Sequence, residues 1–355
     1  MVKAIYLCSL RERVGKTLIS IGLIQKLKKD GYKVGYFKPI GTPKGAFTNK
    51  ADPDISFVMG CVEPDDMLEY NQISPVSIPD CYYVDLIDSE RKEEYQKRIR
   101  ESYIETTKNL DYVIIEGAQS IKKYIRVGVD DLSIACVLGI DELVFIETES
   151  SDKCIDNLFF TKNYFDYRES KIKGVIFNKI DHDYLARIKE LEKNHINRYG
   201  IPILGIVGKS LELMSPRVSE IQAALGASLL NESAADALEN RAETYIIGAM
   251  GPQAALKYLR QVKQAAVITG GDRVDLALTA LNQDVSVLIL TGFIKPDTSV
   301  ITAANEKNVP ILLSPSDTYT TLRNMERIRP GIQQDEIKKV LDLVEKTIDW
   351  ELLLK

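Results

Sequence analysis

Apolar and polar positions alternate along this chain in two successive series of short apolar runs and longer amphipathic stretches. The first run, Ala4-Ile5-Tyr6-Leu7, meets a polar loop, and a helical apolar period takes over from Lys16 to about Lys29. Lys33–Phe37, Tyr112–Glu116, Glu142–Glu147, Gly174–Asn178 and Ile201–Val207 read as further strands. The run Tyr112-Val113-Ile114-Ile115 is continuously apolar, the pattern of a parallel strand covered on both faces. Helical patterns fall between the strands, near 89–109, 130–139, 152–167 and 183–199. Alternation of this kind predicts an α/β fold, a parallel sheet with helices on both faces. Residues 42–88 break the rhythm with Pro43, Pro53, Pro64, Pro75 and Pro79, which predicts an irregular, functional region or lid.

A change of character around 206–220 separates the series. This stretch contains Gly208-Lys209-Ser210, read as a linker turn because no phosphate loop of usual length precedes it. The second, smaller α/β series places strands near 243–248, 264–269, 285–290 and 309–313. Its helices are expected near 252–261, 273–281, 298–306 and 316–328. A last amphipathic helix, about Asp335–Leu354, carries the one tryptophan, Trp350. The boundaries expected are 1–206, 207–328 and a C-terminal helix in 329–355.

Length fits two domains, since the 355 residues exceed one ordinary domain. Net charge is −5 with no basic run, which argues against nucleic acid as main partner. No stretch is apolar for long enough to span a bilayer, and the first strand starts too early for a secretory signal. Cys8, Cys61, Cys81, Cys136 and Cys154 are scattered and read as reduced thiols of a cytoplasmic protein. His182 and His195 have no cysteine at ligand spacing, so a structural zinc is not expected.

The chemistry gathers at strand ends. Val14-Gly15-Lys16-Thr17 lies between the first strand and the first helix, the setting of a phosphate-binding loop. A helix start offers unpaired N–H groups and the positive end of its dipole. Gly15 lets the backbone approach a phosphate, Lys16 reaches the β/γ-phosphates and the Thr17 hydroxyl suits Mg²⁺. The usual opening glycine is absent, with Leu10 in its place after Ser9. Glu116 ends a buried strand, and Asn178-Lys179 close another at the same edge, where open α/β sheets bind ligands. In the second series, Gly270-Gly271-Asp272-Arg273 form a strand end, a turn and a helix start. These residues suit either an anion or a tight αL turn with Asp272 as cap.

The first ~205 residues resemble dethiobiotin synthetase and its P-loop relatives. The resemblance rests on Val14–Thr17, Tyr36-Phe37-Lys38-Pro39-Ile40, Asp54, Ile115-Glu116-Gly117-Ala118 and Gly174–Lys179. It implies a P-loop NTPase-type sheet, ATP and Mg²⁺ as cofactors, and carboxylating ligase chemistry. By position, Thr17, Asp54 and Glu116 would be the metal ligands, and Lys16 and Lys38 would hold phosphate and developing charge. Arg13, Val14, Gly15 and Lys179 would surround the nucleotide, with Asn178 at the adenine. Gln119-Ser120 stand where that family has a glycine pair, and Arg11 falls where related dimeric ATPases place a signature lysine.

Residues ~207–325 resemble the DRTGG domain, a regulatory-type module, through Ile247–Met250, Ile268–Asp275, Leu290-Thr291-Gly292, Val309–Ile311 and Asp317–Tyr319. Its ligand candidates are Gly270, Gly271, Asp272, Arg273, Thr291 and Gly292. The pair of domains is similar to the N-terminal region of long phosphotransacetylases, whose catalytic domain would need several hundred more residues. Three functions stay open. One is a dimeric, Mg·ATP-binding regulator with slow ATPase at most and a small effector on the second domain. The others are an ATP-dependent ligase acting on another substrate and an interaction scaffold with a decayed loop.

Overall fold

The computed structural model describes residues 2–42, 52–61, 70–78, 89–328, 330–332 and 334–355. Two compact units divide the chain: 1–209 together with 332–355, and 210–331.

In the first unit the strands are β1 (Lys3–Ser9), β2 (Val34–Phe37), β3 (Ile40–Gly41), β4 (Val76–Ser77), β5 (Tyr112–Glu116), β6 (Glu142–Glu147), β7 (Lys171–Ile180) and β8 (Ile203–Gly208). The helices are α1 (Lys16–Lys29), α2 (Pro53–Cys61), α3 (Tyr70–Ile73), α4 (Ser89–Thr106), α5 (Asp131–Leu138), α6 (Lys153–Tyr167) and α7 (Leu185–Asn194). Six strands form one parallel sheet in the order β2-β5-β1-β6-β7-β8, and β3 and β4 pair separately. From β1 the chain runs to β2, returns to β5 and then crosses to β6 on the other side of β1. Strand order therefore reverses around β1, and the crevice at such a point is where these sheets bind ligands.

Burial on both faces explains the uninterrupted apolar runs. Tyr6, Cys8, Val113, Ile115, Phe145, Val175 and Phe177 enter a core with Ile134, Leu158, Phe165, Ile188 and Leu191 of α5–α7. Their strand neighbours Ile5, Leu7, Ile114, Val144, Ile146 and Ile176 are equally buried. Part of the region expected to be irregular is helical, as α2 and α3. The helix expected over 183–199 is instead a 3₁₀ turn, α7 and a second 3₁₀ turn ending at Gly200, whose φ is 68°.

The second unit has α8 (Leu211–Met214), α9 (Val218–Leu225), β9 (Ser228–Leu229), β10 (Thr244–Ile247), α10 (Pro252–Leu259), β11 (Ala265–Gly270), α11 (Val274–Leu281), β12 (Val285–Thr291), α12 (Thr298–Glu306), β13 (Ile311–Leu313) and α13 (Thr318–Met325). Its sheet runs β10-β11-β12-β13-β9, parallel except for the edge strand β9. One face packs on α10, α11 and α12, the other on α9 and α13. Ser210 caps α8, so Gly208-Lys209-Ser210 is a strand end followed by a helix start.

The chain then returns to the first unit as α14 (Ile337–Thr347) and α15 (Trp350–Leu354). A single helix was expected here. Ile348 leaves it to bridge Gly205 of β8, and Asp349 starts α15 by accepting from the Leu352 N–H. Val344 of α14 lies against Gly22 of α1, where a Cβ would come within 2.4 Å of it.

Candidate functional site

Leu7 pairs with both Glu116 and Val144, so β1, β5 and β6 end side by side. From β1 the loop 10–15 turns into α1 through two left-handed residues, Arg13 (φ 60°) and Gly15 (φ 88°). Gly15 is the N-cap of α1 and carries no side-chain cap. Any other residue there would be strained, and its Cβ would lie 2.5 Å from Asn178 Nδ2. Asn178 is buried at the end of β7, and its Nδ2 donates to the Val14 carbonyl at 2.8 Å. Lys179, also left-handed, donates through Nζ to the Arg13 carbonyl at 2.8 Å. Asn178 and Lys179, two of the residues expected at the nucleotide, thus hold the back of the loop.

Lys16 is buried. Its Nζ donates to Ser9 Oγ at 2.8 Å and to the Gln119 carbonyl at 3.1 Å. Burial pulls its pKa down, against the opposing charges of Glu116 and Asp131. Ser120 Oγ donates to the Leu10 carbonyl at 2.7 Å, and the Ile121 N–H to the Ser9 carbonyl at 2.8 Å. Ser9, Gln119 and Ser120 therefore stitch the loop to the segment after β5.

Glu116 is a hub. It accepts from Thr17 Oγ1 at 3.0 Å, from the Tyr36 hydroxyl at 3.0 Å and from Ser20 Oγ at 3.4 Å. Lys38 Nζ lies 3.4 Å from Glu116 Oε1 and 3.0 Å from Asp52 Oδ2, all three groups being buried. Asp52 also accepts from the Thr42 N–H at 3.0 Å. Thr17, Lys38 and Glu116 thus come together, while the Asp54 side chain lies outside the described residues. Arg11 turns away from this cluster to pair with Glu149 at 2.7 Å.

Sequence reasoning gave no role to Ser9, Ser20, Tyr36, Asp52, Asp131 and Glu147. Ser20 is one turn beyond Thr17, and Asp52 stands two residues before Asp54, so both left a signal. Asp131 is fully buried, and burial raises its pKa to about 7. Its Oδ1 accepts from the Ala118 N–H at 2.7 Å and the Tyr6 hydroxyl at 3.2 Å. Gly117 leaves room for it, since a Cβ there would sit 2.7 Å from Oδ1. Glu147 is also raised by burial, with Oε1 on the Thr148 and Glu149 N–H groups.

In the second unit the six candidates divide. Gly270 ends β11, and Arg273, not Asp272, is the N-cap of α11. Gly271 is demanded by packing rather than by an αL turn: a Cβ there would lie 1.8 Å from the Ile294 carbonyl oxygen. Arg273 Nη2 donates to the Met250 carbonyl at 2.9 Å. Thr291 contacts Thr318 Oγ1 at 2.8 Å, and Gly292 (φ 74°) donates to the Ser316 carbonyl at 2.9 Å.

Comparison with known proteins fits this architecture. Residues 3–217 match the family described as the AAA domain, and residues 220–328 match the DRTGG domain. Phosphate acetyltransferase of Synechocystis sp. is 24% identical over 371 residues, with 100% of this chain and 52% of that protein covered. The Escherichia coli phosphate acetyltransferase is 23% identical, covering 99% and 52%. The chain thus spans about half the length of these curated relatives. Among solved structures, the septum site-determining protein MinD of Pyrococcus horikoshii, complexed with Mg-ADP, gives a TM-score of 0.35 at 16% identity, covering 60% of this chain and 84% of that one. The CBS and DRTGG domains of Clostridium perfringens pyrophosphatase give 0.30 at 16%, covering 43% and 72%. Among the described residues no helix is long and apolar enough to cross a membrane. The chain belongs to the AAA domain family, with a DRTGG domain following the P-loop domain.

Proposed function

We propose that this protein binds Mg·ATP at the loop 9–17 and uses its DRTGG domain to sense a small effector, with slow ATP turnover at most. One observation carries the reading: a buried Lys16 at an uncapped helix start stands beside the Thr17–Glu116–Lys38 cluster. A buried ammonium held by a hydroxyl and a carbonyl gains a stronger partner when a phosphate arrives. Mg²⁺ takes oxygen ligands, commonly one or two carboxylates plus phosphate oxygens, and the Thr17 hydroxyl and Glu116 carboxylate fit that set. Asp54 completes the proposed metal ligands. When bound, the ion would neutralise phosphate charge, while Lys38 balances Glu116 and Asp52. Arg13, Val14, Gly15, Asn178 and Lys179 shape the nucleotide side. A homodimer is the proposed assembly.

A regulator is favoured over a ligase because Gln119 and Ser120 tie down the segment beside the loop. A ligase needs that space for its second substrate, and attack geometry tolerates little displacement. Turnover should be about one per minute or slower, against the ~10 s⁻¹ typical of enzymes. Calorimetry with ATP and Mg²⁺ tests binding: Lys16→Ala should weaken it about a hundredfold or more, through loss of charge-assisted hydrogen bonds. Absence of ATP binding at millimolar concentration in the unsubstituted protein would reject both regulator and ligase. Rapid, CO₂-dependent ADP release with a diamine would favour the ligase.

A further inference from the structure

On one face of the second sheet, two helix starts lie side by side without side-chain caps. Gly251 is the N-cap of α10 with Pro252 following, and Arg273 is the N-cap of α11. By contrast α12 and α13 are capped by Asp297 and Asp317. The uncapped helices follow adjacent parallel strands, and Arg273 joins their turns through the Met250 carbonyl. Unpaired first-turn N–H groups and a fork-shaped cation form a donor set for an anion.

A second observation points the same way. Thr269, near the end of β11, is 2% exposed, and its hydroxyl has no hydrogen-bond partner among the described residues. The Thr269 side chain lies beside the turn into α10, since a Cβ on Gly248 would come 3.1 Å from both its Cβ and its hydroxyl. A buried hydroxyl without a partner is costly in a protein alone, and a ligand that accepts its proton removes the cost.

We propose that the turns 248–251 and 270–273 bind a single phosphoryl group, donated to by Thr269, Arg273 and the first-turn amides of α10 and α11. This rests on the reading of the DRTGG domain as a ligand sensor and names the class of its ligand. So many donors from different directions suit a tetrahedral dianion better than a planar carboxylate. Asp272 and Asp275 are exposed beside the site, Asp275 3.8 Å from Arg273 Nε, and their charge disfavours a polyphosphate. The phosphoryl group could be free phosphate or part of a nucleotide.

The test uses the full chain carrying Lys16→Ala, which silences the P-loop, titrated by calorimetry and ³¹P NMR with inorganic phosphate, AMP and adenosine. Phosphate should still bind, and adding Thr269→Val should weaken it about tenfold, the loss of one hydrogen bond to a charged acceptor. Arg273→Lys should weaken it at least as much. AMP binding with the same dependence on both residues would identify a nucleotide as the source. Phosphate binding without AMP binding would identify the free anion. No phosphate binding in the Lys16→Ala protein overturns the proposal, as does binding indifferent to both substitutions. Thr269→Val also separates ligand from structure: a purely structural hydroxyl gives a more stable variant with unchanged phosphate affinity, which rejects the site. ATP binding by the unsubstituted chain is scored separately, so failure at the P-loop is not mistaken for failure here.

Discussion

Asp131 is fully buried, yet its Oδ2 meets no hydrogen-bond donor among the described residues. Burial dominates, and the Ala118 N–H and Lys16 offset only part of it, leaving a pKa of about 7 against an ordinary 3.8. The sign follows from proton linkage. The folded protein holds this proton more tightly than the unfolded chain. The stability it contributes is therefore complete below about pH 4 and lost as pH rises through 7. The displacement corresponds to on the order of 4 kcal/mol. Asp131→Asn cannot titrate, so its stability relative to the unsubstituted protein should rise between pH 4 and 7.5. Urea midpoints across that range measure it, and a constant difference would show that Asp131 stays ionised. Residues of this kind were not legible in the sequence, because Asp130-Asp131 looks like an ordinary acidic helix start. Gly15, Lys16, Thr17 and Glu116 were legible, because a strand end or a helix start fixes where each side chain must go.

At the scale of elements, α1 illustrates how two faces can be claimed at once. Its first turn presents Lys16 and Thr17 to the site, while Gly22 admits Val344 of α14. Alanine is the better helix former by about 1 kcal/mol, so an isolated helix would gain from Gly22→Ala. Here the added Cβ meets Val344 at 2.4 Å, and overpacking of that kind costs about 1–3 kcal/mol. Gly22→Ala should therefore destabilise the first unit, and Val344→Ala should restore much of the loss in the double variant. Thermal denaturation of the four proteins tests this, and additive effects would mean that the two residues do not touch. The helix itself was legible from its period, but the reason for Gly22 lies more than three hundred residues away. The same holds for the break at Ile348, which depends on Gly205 of β8. The two-residue strand β9 was missed because it is too short to show a period.

At the scale of the whole molecule, the chain leaves the first unit at Lys209 and re-enters it at Ile332. Lys29 pairs with Glu345 at 2.8 Å, and Lys26 stacks on the Trp350 ring at 5.4 Å from its centroid. Removing residues 332–355 should therefore lower the melting temperature of the first unit and leave that of the second unchanged. Hydrogen exchange should quicken along 16–29. Unchanged exchange there would show that α14 contributes little to α1. The sequence by itself determined the two α/β series and the strand-end edge at which Lys16, Thr17 and Glu116 gather. These follow from local period and from helix-start electrostatics, both properties of contiguous residues. Only the tertiary structure decided that Asn178 and Lys179 brace the loop, that Lys38 is shared between Glu116 and Asp52, and that the buried Thr269 hydroxyl, beside Gly248, has no hydrogen-bond partner among the described residues. Each depends on strand order and on burial, which bring distant residues together and set the cost of every unpaired polar group.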